Sequence, residues 1–423
     1  MISEAAMERV ILHSDLNNFF ASVEAVKNPS LRDKIFAVAG DPEKRHGIIL
    51  AKNQAAKRMG IQTGETIWQA KQKCPSLIVV KPDMQAYHRY SKMVHRIYNR
   101  FTDRIEPFGI DEAWLDVTGS TRLFGCGAKI AYEIRRQVRE ELGMTVSIGV
   151  SYNKVFAKLG SDLKKPDATT IISKENFHKV VHPLPVSDLL FVGRSTREKL
   201  YRHGIYTIGH LAQADALFLQ RLLGKMGIML HQYATGSDGA ANVLSEAAPI
   251  KSVSNSVTTN HDLTTEKEIH IQMMMLAERV ASRLRLRELS GTLITLFVRD
   301  TQFRSITRQK PLPLATNNAP EIYDAAFSLF QENYDLSTPV RCIGLGVSKL
   351  QHDDGNLQMS LWDLDHKRVR DQALDQTVDH LRDRYGFNCV VRAGCLYHQL
   401  KNYTLSDEAG APASLCTLPG CHI

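Results

Sequence analysis

The chain has 423 residues, 43% of them hydrophobic, with a formal net charge of +8 and a pI near 9.0. That length and apolar content support two to four domains with ordinary cores rather than one overgrown domain, and the basic balance points to a polyanionic partner. Residues 1–9 carry Glu4 and Glu8 ahead of any apolar run, and no later stretch reaches membrane-spanning length, so the expectation is a cytoplasmic protein with neither signal peptide nor membrane partner. Seven cysteines without a Cys-x-x-Cys pair are poor material for a disulfide framework and are read as reduced, and Cys416, Cys421 and His422 near the end are read as incidental rather than as a metal site.

Val10 to Asp15 reads as a buried strand, followed by a helix with Phe19, Phe20, Val23 and Val26 that Asn17-Asn18 would cap. A second strand spans Ile35 to Ala39, and Gly47 to Ala51 leads into a basic helix, Asn53 to Met59, closed by Gly60. A helix from Thr66 to Lys73, a short strand from Leu77 to Val80 and a long helix from Met84 to Phe101 come next. A hairpin around residues 105–117, a helix from Ala128 to Leu142 and a strand from Thr145 to Val150 complete an α/β layer on a mixed sheet. Around Ile172 the pattern changes to short helices with glycine turns, and Ser195 with Glu198 is expected to form a capping box. A small, polar linker runs from Gly236 to Pro249. Beyond it the expected elements are a helix from Thr265 to Leu289, strands over 292–298, 303–310 and 340–347, and a helix from Ala319 to Glu332. The tail is expected to hold a helix with Leu374, Val378, Leu381 and Tyr385 on one apolar face, and residues beyond about Tyr403 are expected to be disordered.

Asp15 at the end of the first strand and Asp111-Glu112 in the hairpin are the candidate chemistry. Three carboxylates beside apolar strands repel one another, and hard cations stabilise such a group; two magnesium or manganese ions held this way can manage the attacking and leaving oxygens of a phosphoryl transfer. The alternative is three surface carboxylates near turns. The segments His-Ser-Asp-Leu-Asn-Asn-Phe-Phe-Ala-Ser-Val-Glu (13–24), Gly-Ile-Asp-Glu-Ala-Trp-Leu-Asp-Val-Thr (109–118) and Val-Ser-Tyr-Asn-Lys-Val-Phe-Ala-Lys-Leu-Gly-Ser-Asp-Leu-Lys-Lys-Pro (150–166) decide between them. In this order they resemble the motifs of the Y-family DNA polymerases, and the likeness extends from residue 10 to about 350.

The resemblance implies an α/β (α+β) right-hand polymerase: a ferredoxin-like palm (1–24 and 85–173), small fingers (25–84), a helical thumb with helix-hairpin-helix elements (174–240), a linker (241–250), an α/β little finger (251–350) and a C-terminal tail (351–423). It implies that Asp15, the Leu16 main-chain oxygen, Asp111 and Glu112 bind two Mg2+ ions, with Mn2+ as a possible substitute, that Phe20 beside Phe19 is the steric gate, and that Lys57 and Lys165 contact the triphosphate. Asn53-Gln54-Ala55-Ala56-Lys57 departs from the family's Asn-Tyr-x-x-Arg, giving a point charge without a bidentate fork. Gly193 and Arg194 begin a helix whose free N–H groups suit phosphate, and Arg299, Arg304, Arg308 and Lys310 are read as a DNA-tracking surface in which the last three share a strand face. Among residues 279–310, eight basic side chains are set against only Glu288 and Asp300. Gln358, Leu361 and Trp362 resemble the peptide that docks on the bacterial sliding clamp. The implied activity is low-fidelity translesion synthesis by a monomer on primer-template DNA and deoxynucleoside triphosphates. Two alternatives remain: a cyclase or nuclease on a similar palm, which needs no thumb or little finger, and a DNA-binding scaffold, which needs no carboxylates.

Overall fold

In the computed structural model, which describes residues 8–43, 45, 47–237, 243, 249–353, 364–386 and 389–393, the chain divides into two units. The first begins with β1 (Ile11–Leu16), buried along its whole length, and α1 (Phe19–Lys27). A small sheet follows, built from β2 (Phe36–Ala39), β3 (Ile49–Lys52) and β4 (Ile78–Val80) in the order β3-β2-β4, with α2 (Gln54–Arg58) and α3 (Ile67–Lys73) between its strands in sequence. The chain then returns through α4 (Met84–Tyr98), β5 (Ile105–Pro107), β6 (Glu112–Asp116), α5 (Thr121–Phe124), α6 (Gly127–Leu142), β7 (Val146–Ser151), α7 (Lys154–Leu163) and β8 (Thr169–Ile172).

The main sheet has the order β5-β6-β1-β7-β8 and is mixed, because β7 and β8 run parallel while the other pairs are antiparallel. Side chains alternate across it. Leu12 and Leu16 of β1 join a core with Val94 and Ile97 of α4 and Ile130 and Ile134 of α6. Ile11 points the other way and shares a cluster with Trp114 and Ala157, so α7 covers the second face. A helical region follows: α8 (Phe177–Val180), α9 (Arg194–Arg202), α10 (Ile208–Gln213), α11 (Ala216–Leu223) and α12 (Lys225–Ala234), packed around Leu200, Ile208, Leu211, Leu219 and Leu230.

The second unit contains β9 (Ser252–Leu263), α13 (Glu266–Arg285), β10 (Leu289–Asp300), β11 (Ser305–Thr316), α14 (Ala319–Asn333), β12 (Val340–His352) and α15 (Leu364–Tyr385). Its antiparallel sheet has the order β11-β10-β12-β9, and Ile294, Leu296 and Val298 of β10 pack with Leu276 and Val280 of α13 and Ile322 and Leu329 of α14.

Several expectations need correction. The box at Ser195 and Glu198 does not form: α9 starts at Arg194 with Gly193 as an N-cap that makes no side-chain bond, and Glu198 instead accepts from Arg194. The long helix stops at Arg285 rather than Leu289, because Glu288 takes φ +52° in a turn that launches β10. β8 and β9 were not foreseen. Arg304 lies before β11, bound to Asp300. Arg308 and Lys310 donate to Asn333 and Ser328 of α14 and so share a face of β11, but Arg304 falls outside the strand and does not extend the row; Arg299, on β10, bonds Ser305.

The charge run is also less open than counted. Arg285, 11% exposed, is held by Asp375 and Asp379 of α15, and Glu278 receives Arg382 and Arg392. α15 therefore buries Asp375 and Arg382, and the expected apolar face is turned outward: Leu374, Leu381 and Tyr385 are exposed. Gln358, Leu361 and Trp362, Cys416, Cys421 and His422, the segment beyond Tyr403, and all of the 241–250 linker except residues 243, 249 and 250 lie outside the described residues.

Candidate active site

β1 is the middle strand of its sheet, so pairing on both sides fixes its register. Asp15 stands directly opposite Glu112 of β6 and Ser147 of β7. Directly opposed residues of an antiparallel pair leave the sheet on the same face. Leu16 N–H donates to the Asp111 carbonyl at 3.0 Å, which brings Asp111 to the end of the same strand pair. Asp15 and the adjacent pair Asp111-Glu112, far from it in sequence, thus meet at one end of the β1-β6 strand pair.

α7 lies unusually close to this face. A Cβ on Gly149 would stand 1.9 Å from the Ala157 carbonyl oxygen and 2.6 Å from the Ser161 nitrogen, so only glycine allows the approach. His13 Nδ1, 2.8 Å from Ser161 Oγ, ties β1 to the same helix, and His13 Nε2 is 3.3 Å from Glu112 Oε2. From this helix Lys158 reaches Glu112 at 2.8 Å and Asp15 at 3.4 Å. Lys165, just past the helix end, lies 2.7 Å from Asp15 and 2.7 Å from Asp162.

Burial, followed by the charges of Asp15 and Glu112, pushes Asp111 up to about 6. Burial also raises Asp15, against the pull of Lys165. His13 is driven down to about 3 by burial and then by Lys158, which leaves a neutral ring between strand and helix. Burial alone would lower Lys158 and Lys165, but the carboxylates around them more than offset it and both are raised. Among the described residues no three acidic, histidine or cysteine side chains close into a ready-made metal cage; Lys158 bridges Asp15 and Glu112 instead. The oxygens of Asp15, Asp111 and Glu112 are nonetheless the hard, anionic donors that Mg2+ or Mn2+ takes, gathered at one strand end, so the donor set fits such ions.

Phe20 stacks on Tyr87 with ring centroids 4.2 Å apart and 9° between planes, and Tyr87 donates to Glu24. Phe19 is 3% exposed within the core. Lys57 is exposed on α2 and makes no ion pair with the carboxylate group; Asn53 caps that helix by accepting from the Ala56 N–H. Arg194 is exposed and paired with Glu198 at 2.9 Å. Sequence reasoning missed Lys158, Asp162 and His13. The signal was present in Lys154 and Lys158, one turn apart on α7, but nothing in the spacing says that this face meets Asp15.

Family models described as "impB/mucB/samB family" and "impB/mucB/samB family C-terminal domain" match residues 14–162 and 250–361. The chain is 47% identical to a DNA polymerase IV of Acetivibrio thermocellus over 91% of its own length and 97% of that protein's. The chain belongs to the Y-family DNA polymerases. This polymerase is also 35% identical to DNA polymerase IV 1 of Bacillus subtilis, across 92% of the chain and 93% of the relative. A solved Y-family DNA polymerase chimera shares its fold, with a TM-score of 0.72 at 23% identity over 80% of this chain and 98% of the other. The protein is accordingly a DNA-directed DNA polymerase, a nucleotidyltransferase acting on DNA and deoxynucleoside triphosphates, in a family generally dependent on divalent metals. Among the described residues no helix is long and apolar enough to cross a membrane.

Proposed function

We propose that this polymerase adds deoxynucleotides to a primer 3′ end by two-metal phosphoryl transfer, releases pyrophosphate, and works at low fidelity across damaged templates. The observation that carries the reading is Asp15 opposed to Glu112 in register, with Asp111 beside them. Asp15, Asp111, Glu112 and the Leu16 carbonyl would hold two Mg2+ ions, with Mn2+ as a substitute. Bound there, the ions supply acidification of the primer hydroxyl and neutralisation of the departing pyrophosphate.

The chain's own groups do the positioning. Lys165, from the palm, and Lys57, from the fingers, neutralise the triphosphate, and Gln54 in place of a phenol changes that grip. Phe20, backed by the Tyr87 ring, presents a flat wall to the sugar and leaves no room for a 2′-hydroxyl. Phe19, buried beside it with ring centroids 5.7 Å apart, supports that wall at the nucleotide. The fingers between residues 25 and 84 rest on a three-stranded sheet, and so small a wall around the nascent pair makes shape selection loose.

DNA is held at the uncapped α9 start by Gly193 and Arg194. It is also held along the edge strand β11 by Arg308 and Lys310, with Arg304 just before that strand and Arg299 on the neighbouring β10. The palm, fingers, thumb, linker, little finger and tail take the boundaries given above, the Gln358 to Trp362 peptide docks on the sliding clamp, and the enzyme acts as a cytoplasmic monomer. Primer extension opposite an abasic site tests the reading. The parent should extend past it, Asp111→Ala should be inactive, and Phe20→Ala should accept ribonucleotides; extension by Asp111→Ala equal to the parent would end the case.

A further inference from the structure

Lys158 and Asp162 have no part in that scheme, yet they sit inside it. The Lys158 ammonium bridges Asp15 and Glu112, the two carboxylates the metals require. A divalent cation and an ammonium group cannot share that place, since like charges a few ångströms apart in a poorly solvated site repel strongly. Asp162 offers the lysine an alternative. It lies one turn along the same helix, 3.5 Å from Lys158 Nζ, and already holds Lys165. Its side chain is 46% exposed against 7% for Asp15, so water shares the cost of charge there.

We propose that Lys158 is a resident counter-ion that neutralises Asp15 and Glu112 in the metal-free enzyme and yields them to divalent cations by swinging onto Asp162. The flexible four-carbon stem permits the move while Gly149 keeps α7 fixed on the sheet. The inference rests on the two-metal reading and names two positioning residues for it. Asp162 then passes to Lys158 once the site is loaded, and Lys165, released from Asp15 and Asp162, faces the triphosphate.

Mn2+ binding to the DNA-free enzyme, followed by titration calorimetry, together with melting in EDTA, tests it. Lys158→Met should melt lower than the parent in EDTA and bind Mn2+ about tenfold tighter, because one ammonium fewer must be displaced, Lys165 still standing 2.7 Å from Asp15. Asp162→Asn should bind Mn2+ about threefold weaker, because the lysine loses its alternative. A role confined to holding the fold together would lower melting without this opposition of sign. Folded Lys158→Met with unchanged or weaker Mn2+ affinity overturns the exchange while leaving the two-metal reading intact. A parent whose Mn2+ binding survives Asp111→Ala overturns both.

Discussion

Gly149→Ala is the sharpest test of how the site is assembled. The added methyl would sit 1.9 Å from the Ala157 carbonyl oxygen, and ordinary contact begins at 3.4 Å, so α7 must retreat by about 1.5 Å or β7 must bend. Both obstacles are backbone, which cannot rotate aside. Overpacking of this kind costs about 1 to 3 kcal/mol, and the upper end applies because the His13 bond to Ser161 is stretched as well. The retreat also carries Lys158 and Lys165 away from Asp15 and Glu112, and a misplacement of this order lowers a chemical step by roughly 10²-fold. Urea unfolding followed by tryptophan fluorescence gives the first number, and single-turnover primer extension gives the second. A variant within 0.5 kcal/mol of the parent that extends at the parent's rate would refute the account of the helix as the element that sets the lysines.

Arg285→Met should destabilise the second unit by about 3 kcal/mol, since it leaves buried Asp375 with only the more distant Arg392 and half-buried Asp379 without its cation; unfolding followed by circular dichroism reads it. Thr265→Ala removes the cap of α13 and should cost about 1 kcal/mol in the same assay. Burial alone would raise Glu268 above its ordinary 4.5, but the Thr264 and Thr265 N–H groups hold it below. Its contribution is therefore full above pH 4.5 and is lost as the pH falls through the depressed value, so Glu268→Gln should flatten that part of the acid unfolding curve. DNA affinity should fall steeply with salt, and neutralising Arg299 or Arg308 should reduce the slope of log affinity against log salt by about 1 each, as measured by anisotropy.

The meeting of Asp15 with Glu112 was legible because each ends or begins an apolar run whose pairing admits few registers. Lys158 was not, because its arrival depends on how closely a helix lies on a strand, and that distance is set by one missing Cβ at Gly149. β9 escaped notice for a related reason. Its Ser-Val-Ser-Asn-Ser-Val-Thr-Thr segment has little apolar alternation, and only its pairing along β12 makes a strand of it. The basic run in the second unit misled in the opposite direction. Counting charges within residues 279–310 cannot register that Asp375 and Asp379, some ninety positions later, neutralise Arg285.

The inverted docking of α15 bears on where this chain can be cut. A fragment ending at His352 would expose Glu278 and Arg285 as orphaned charges and strip Asp375 from the Ala319 N–H at the head of α14. The piece of the second unit able to stand alone therefore runs on through Arg392, and the greasy outer ridge of Leu374, Leu381 and Tyr385 travels with it into water.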